Sequence, residues 1–482
     1  MKKLLTIQAV VGTLFLAGCG DDKEGGVPTT PSSDVELANH SSSPVFLKLK
    51  SGFEDVEVYN LLSSEDQLEN TPDFVYGSMA DGAGLMKNDD GTFTLLNNIE
   101  ADYSVARISF DETFKPVGGE YILNAEATAS TAQCSGSLIT MEEHGFGPLY
   151  LSGGEWGGNS KGVFMTDPAK DPADADVATL LPALGQWSVE NAVAIGKEAY
   201  PGQTVVFIGD DTSDNETPSG QVAMYIGDHG DLSGGKLYGL KVTSPDITYE
   251  MDMVEGEEYE VEFLEYEERT YDELEEESRA KGFMGFSRVE DIDWRRGSAA
   301  NNREIYVAVT GRKNDPLLNK GTFYGRVYKI VLDEEDPTKA TISCVLDGDK
   351  LDGKAKAFHS PDNILVTENY VYIQEDPNGY FDQEDKMHFA QLYQYDINTG
   401  DLRTVLECDQ DAAASQNYGT TDRTWELTGM IDVSDILGEE ETFVLITQNH
   451  GWENDAFTDP NANPTTDSNE GSMLYVLKGL KR

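Results

Sequence analysis

Arg288 and Glu290 stand two residues apart in Phe286-Ser287-Arg288-Val289-Glu290-Asp291. Side chains alternate along a strand, so an extended backbone here turns both toward one side. A guanidinium forks two phosphate oxygens and a carboxylate binds hard cations, which is the pairing a metal-assisted phosphoryl site needs. The same two residues also read as an ion pair on a sheet face. Glu190 interrupts the apolar stretch Leu184 to Val193, and an acid in such surroundings needs a salt bridge or a metal. Cys134 falls in Thr131-Ala-Gln-Cys-Ser-Gly136, a small-residue loop in which a thiolate is open to approach. Glu155 follows a strand-like run and a glycine pair. Asp362 with Asn363, and Glu375 with Asp376, stand at opposite ends of one expected hairpin.

The elements that must carry these residues are strands. From Val35 onward short apolar runs alternate with Gly, Asp and Asn turns, and helix-period stretches are few. Asp89-Asp90-Gly91 predicts a hairpin turn, with Thr92 to Leu96 as the returning strand. A recurring unit contains Tyr238, Tyr328, Tyr393 and Tyr475, spaced by 90, 65 and 82 residues. Irregular spacing of a recognisable strand unit fits propeller blades carrying long insertions, whereas a solenoid holds its period better. Glu255 to Glu277 contains thirteen acids and predicts a solvated excursion, with Thr270 and Glu273 as the capping box of a short helix to about Ala280.

The 482 residues carry 35 basic and 88 acidic side chains, a formal charge of −53. A phosphate backbone would be repelled over most of such a surface, which argues against nucleic acid as a partner. The excess acid suits solubility in salty surroundings or oxygen ligation of divalent cations. Residues 1–18 read as a lipoprotein signal peptide: Lys2-Lys3, an apolar core from Leu4 to Leu16, and the lipobox Leu16-Ala17-Gly18-Cys19. Acylated Cys19 would anchor the chain to a membrane of the cell envelope without a transmembrane helix. Residues 19–34 read as a flexible tether and 35–482 as a single domain. Of the remaining thiols, Cys344 and Cys408 lie in strand-like apolar runs that suit buried inert cysteines.

Taken in order, Asn98-Ile-Glu100, Gln133-Cys134-Ser-Gly136, Gly147 to Glu155, Leu184 to Asn191, Phe286-Ser-Arg288-Val-Glu290, Pro361-Asp362-Asn363, Glu375-Asp376 with Gly379, Glu426-Leu-Thr-Gly429 and Gln448-Asn-His450 resemble the PhoX-type alkaline phosphatases. The resemblance implies an all-β, six-bladed β-propeller with long acidic insertions that hydrolyses small phosphate monoesters at a centre of iron and calcium. It places Cys134 on iron, Glu190 and Glu290 on the metals and Arg288 on phosphate. Glu155, Asp362, Asn363, Glu375 and Asp376 become further calcium or supporting positions. The chain departs from the family pattern at Ile99, Val189 and Val289, and it lacks a twin-arginine leader. Two other readings stand beside this one: a lipid-anchored propeller that binds a ligand or nutrient without turnover, and a phytase-like phosphoesterase. A monomer is expected in each case.

Overall fold

Short runs of β-branched and aromatic residues, cut by turns, form antiparallel strands in a computed structural model that describes residues 35–158, 160–212, 214–377, 383–463 and 469–482. The leader, the lipobox and the tether lie outside the described residues, as does Gly379. Residues 35–482 form one unit. No described helix is long and apolar enough to cross a membrane.

The strands fall into six groups with a propeller-like arrangement. Ala80–Lys87, Phe93–Ile99, Ser104–Phe110 and Pro116–Leu123 make the first, and Thr131–Ile139, Leu149–Gly157 and Gly162–Thr166 the second. The third is Val189–Ala194, Gln203–Asp210, Val222–Asp228 and Lys236–Val242; the fourth is Val289–Trp294, Glu304–Val309, Arg326–Leu332 and Lys339–Asp347. Pro361–Val366, Tyr370–Glu375, Gln391–Asp396 and Leu402–Cys408 form the fifth, edged by Leu47–Leu49. Glu426–Asp432, Thr442–Glu453 and Glu470–Lys478 form the sixth, which Glu57–Ser63 completes from the other end of the domain. The first strand of each group packs beside the first strand of the next, and that of the sixth returns to that of the first. Joining early and late segments in one sheet closes the ring and leaves few open edges.

Most of the core lies between these groups, where apolar faces of neighbouring sheets meet, as Phe207, Ile292 and Val307 do between the third and fourth. Three of the recurrent tyrosines, Tyr328, Tyr393 and Tyr475, lie buried on third strands, whereas Tyr238 is half-buried on a fourth. The turn at Asp89-Asp90-Gly91 forms, with Gly91 at φ 92°. The acidic stretch departs from expectation, because Glu258–Glu265 is a strand that pairs with both Lys236–Val242 and Lys339–Asp347 and so joins the third and fourth groups. Its alternation buries Val261 and Phe263 and leaves Glu258, Glu260 and Glu262 exposed, a half-buried strand despite the charge. The helix Tyr271–Lys281 follows Thr270 as expected and ends at Gly282, φ 66°. The capping box does not form, since the Thr270 hydroxyl bonds the Glu273 carboxylate instead of a main-chain N–H.

Candidate metal centre

Each first strand carries a side chain of a metal-ligating type near its start: Asp81, Cys134, Glu190, Glu290, Asp362 and Glu426. Each is also interrupted by a register shift close to that residue, as between Val189 and Ala192, Val289 and Ile292, and Pro361 and Ile364. A bulge bends its strand and re-aims the side chains beside it. The ends of second strands add a further set, with Glu100, Glu155, Asp211, Asp376 and His450 following their first-strand partners by 14 to 24 residues. In the fourth group the matching second-strand position is Thr310, and Arg288 stands just ahead of the first strand.

The potential ligand atoms form four close sets, three of them linked through shared residues. Asp81, Glu100 and Cys134 lie within 4.8 Å of one another, as do Cys134, Glu155 and Glu190, then Glu190, Glu290 and Asp362, and finally Asp376, Glu426 and His450. Cys134 and Glu190 each belong to two of these sets. The Cys134 thiol donates to Glu155 Oε2 at 2.9 Å, and the Ser135 N–H and hydroxyl donate to Glu190 Oε1 at 3.1 and 2.8 Å. Glu100 accepts from Trp156 Nε1 at 2.7 Å and Gln448 Nε2 at 2.8 Å. His450 Nδ1 lies 2.8 Å from Glu470 Oε2, and Glu470 also accepts the Gly451 N–H and pairs with Arg423. A carboxylate on one ring nitrogen fixes an imidazole and frees the other nitrogen to ligate.

Arg288 is the cation of the cluster. Its Nε and Nη2 lie 2.9 Å from Asp211 Oδ1 and Oδ2, and Nη2 lies 3.0 Å from Glu290 Oε1. The pair meets for a reason other than strand alternation, because Arg288 sits at φ 69° before Val289–Trp294 begins. Cys134 lies on a strand and not in the expected loop; the small residues around it serve close packing, since a Cβ on Gly82 would sit 2.1 Å from the Gly136 nitrogen. The thiol is buried and unpaired, as are Cys344 and Cys408.

Burial, then neighbouring carboxylates, pushes the carboxyls of Glu155, Glu190, Asp362 and Glu426 well above the usual range. Asp81 rises for the same reasons. Glu290 rises with burial even though Arg288 opposes it. Burial and the surrounding acids also push the Cys134 thiol up. So many buried acids around one guanidinium either keep their protons or take up cations. The donor chemistry fits cations: the amide oxygens of Asn98, Asn191, Asn363 and Gln448 are buried without a hydrogen-bond donor, and the neighbouring carboxylates add oxygens. One thiol and one imidazole offer softer donors.

Of the residues singled out in the sequence, Arg288, Glu290, Glu190, Cys134, Glu155, Asp362, Asn363 and Asp376 come together here. Glu375 does not join them. Its carboxylate accepts the N–H groups of His359 and Gln391 at 3.0 and 2.9 Å and faces His388. Pro361 pairs with Glu375, so the two ends of the hairpin meet, but successive strand residues face opposite ways and only Asp376 turns to the cluster. Sequence reasoning missed Asp81, Glu100, Asp211, Glu426 and His450 as site residues. The available signal was the recurrence of an acid or ligand on consecutive strands of each hairpin.

Fold and site together define a β-propeller whose first two strands in each group converge on a buried, acid-rich centre. No family model matches the chain, and no curated protein does. Among solved structures, the chain is similar to the AfRom2 CNH domain at 10% identity and TM-score 0.35, covering 88% of this chain and 100% of that one. It is also similar to the Neurospora crassa Pan2 WD40 domain at 9% identity and TM-score 0.36, covering 88% and 96%. The catalytic domain of a Coprinopsis cinerea GH62 α-L-arabinofuranosidase follows at 9% identity and TM-score 0.31, covering 72% and 95%.

Proposed function

We propose that the chain is a six-bladed propeller phosphatase that hydrolyses small phosphate monoesters at an iron and calcium centre, resembling the PhoX-type alkaline phosphatases. The observation that carries this reading is the linked series of ligand sets from Asp81 to Asp362, with Asp376, Glu426 and His450 as a further set and Arg288 paired to Glu290. In this reading Cys134 holds iron, while Glu190, Glu290, Glu155, Asp362, Asn363 and Asp376 supply the oxygen-rich remainder. Bound cations would neutralise phosphoryl charge and provide the nucleophilic oxygen. Arg288, with about a quarter of its side chain exposed, reaches the phosphoryl group from the open side and grips its developing charge. Ser135 orients Glu190, and Trp156 and Gln448 orient Glu100.

A specific observation favours a second reading, a ligand-binding propeller without turnover: one edge of the Arg288 fork, Nε and Nη2, is already engaged by Asp211 and Glu290. A phytase-like esterase differs from the first reading only in substrate. The experiment is p-nitrophenyl phosphate hydrolysis at alkaline pH by chelated protein, before and after adding iron and calcium. Turnover restored by the two metals supports the phosphatase; binding of phosphate without turnover supports the second reading. Membrane anchoring through Cys19 in the cell envelope belongs to the same proposal. Cell fractionation of Cys19→Ser should move the protein from membranes to the soluble fraction.

A further inference from the structure

Beyond the axial centre, two imidazoles and a carboxylate converge in the fifth group. His359 precedes Pro361–Val366, Glu375 ends Tyr370–Glu375, and His388 precedes Gln391–Asp396. One ligand atom from each lies within 4.8 Å of the others. We propose that His359, Glu375 and His388 bind a first-row transition dication of the zinc class, in a site separate from the axial centre that fastens these three strand ends together.

The donor set carries the choice of ion. Two imidazoles and one carboxylate suit zinc-class dications, whereas calcium takes oxygen ligands throughout. Bonds of about 2.0–2.1 Å put tetrahedral ligand atoms about 3.3 Å apart. His388 Nε2 lies 3.0 Å from Glu375 Oε2, near that spacing. The two imidazole rings stand with centroids 4.7 Å apart, tilted by 53°, so they converge without stacking flat. Glu375 is fully buried, and the N–H groups of His359 and Gln391 fix one of its oxygens each. Hydrogen-bonded carboxylates of this kind orient metal ligands. The Lys386 ammonium nearby donates to the carbonyls of Gly348, Lys356 and Phe358. Fastening these ends would steady Asp362 and Asp376, which lie one to three residues from the ligands.

A plain His388 to Glu375 ion pair is the competing account, and His359 separates the two, because its main-chain N–H donates to Glu375 and survives a side-chain substitution. His359→Ala leaves an ion pair intact but removes a metal ligand. The full mature chain, replete in iron and calcium, is loaded with zinc and compared with His359→Ala by elemental analysis, and zinc-edge X-ray absorption is recorded on the parent. The parent should hold one more zinc per chain than the variant, with outer-shell scattering from two imidazoles. Equal zinc in both proteins, or sulfur scattering that puts the zinc on Cys134, would overturn the proposal. If the variant does not fold, the absorption spectrum of the parent decides alone. Iron content and phosphate-ester turnover, read on the same samples, report on the axial centre, so failure of either proposal is visible separately.

Discussion

Arg288 combines a left-handed backbone, a half-open position and two carboxylate neighbours. In the proposed reaction its fork contacts charge that grows in the transition state. Arg288→Ala should therefore lower kcat about 10²–10³-fold in metal-replete protein, by analogy with loss of a single oxyanion donor. Arg288→Lys should recover little, since an ammonium cannot reproduce the planar fork. Near-parental steady-state turnover in both variants would reduce Arg288 to an ion-pair partner. Glu470 acts one step back: it touches His450 Nδ1 and is itself in none of the ligand sets. Glu470→Gln should weaken metal binding about 10–100-fold, the usual cost of losing such a supporting carboxylate. Metal titration of chelated protein measures this, and an unchanged affinity would show that His450 does not ligate.

The strands hold their ligands in place by packing so closely that side chains are excluded between some of them. A Cβ on Gly153 would stand 2.3 Å from the carbonyl oxygens of both Val189 and Glu190. Main-chain atoms cannot swing aside, so Gly153→Ala must displace the strand that carries Glu190. A cost of about 1–3 kcal/mol is expected, together with reduced metal content. Gly118→Ala, whose Cβ would find its nearest neighbour at 3.6 Å, is the matched control, with a change within about 0.5 kcal/mol. Thermal unfolding compares the two, and equal shifts would contradict the packing argument. These contacts also mark what the sequence could and could not disclose. Strand content, the turn at Gly91 and the tyrosine unit were legible because period and turn chemistry are local. The Glu258–Glu265 strand was hidden by its charge, although Val261 and Phe263 kept the period of two. The small residues flanking Cys134 suggested an open loop because close approach of two strands leaves the same compositional mark. Asp81, Glu100 and Asp211 stayed unread as ligands because an acid beside a turn is ordinary until the bulges bring it to the axis.

Across the whole molecule, a centre this acidic ties stability to pH in a direction set by the cations. Without them, the carboxyls of Glu155, Glu190, Glu290, Asp362 and Glu426 hold protons at pH values where the unfolded chain has lost them. Their stabilising contribution is complete below the ordinary carboxylate range and is lost as pH rises through the elevated values. Chelated protein should therefore melt at a lower temperature at about pH 8 than at about pH 5. Cations bind the ionised carboxylates, so with iron and calcium the dependence over that window should reverse. Parallel profiles with and without metal would argue against cations at the axis. The most direct measurement is elemental analysis of the mature chain purified without chelators. The account predicts iron and calcium together, more than one ion per chain, with iron lost in Cys134→Ala. A folded parent chain that carries neither metal, and takes up neither when both are offered, would contradict it.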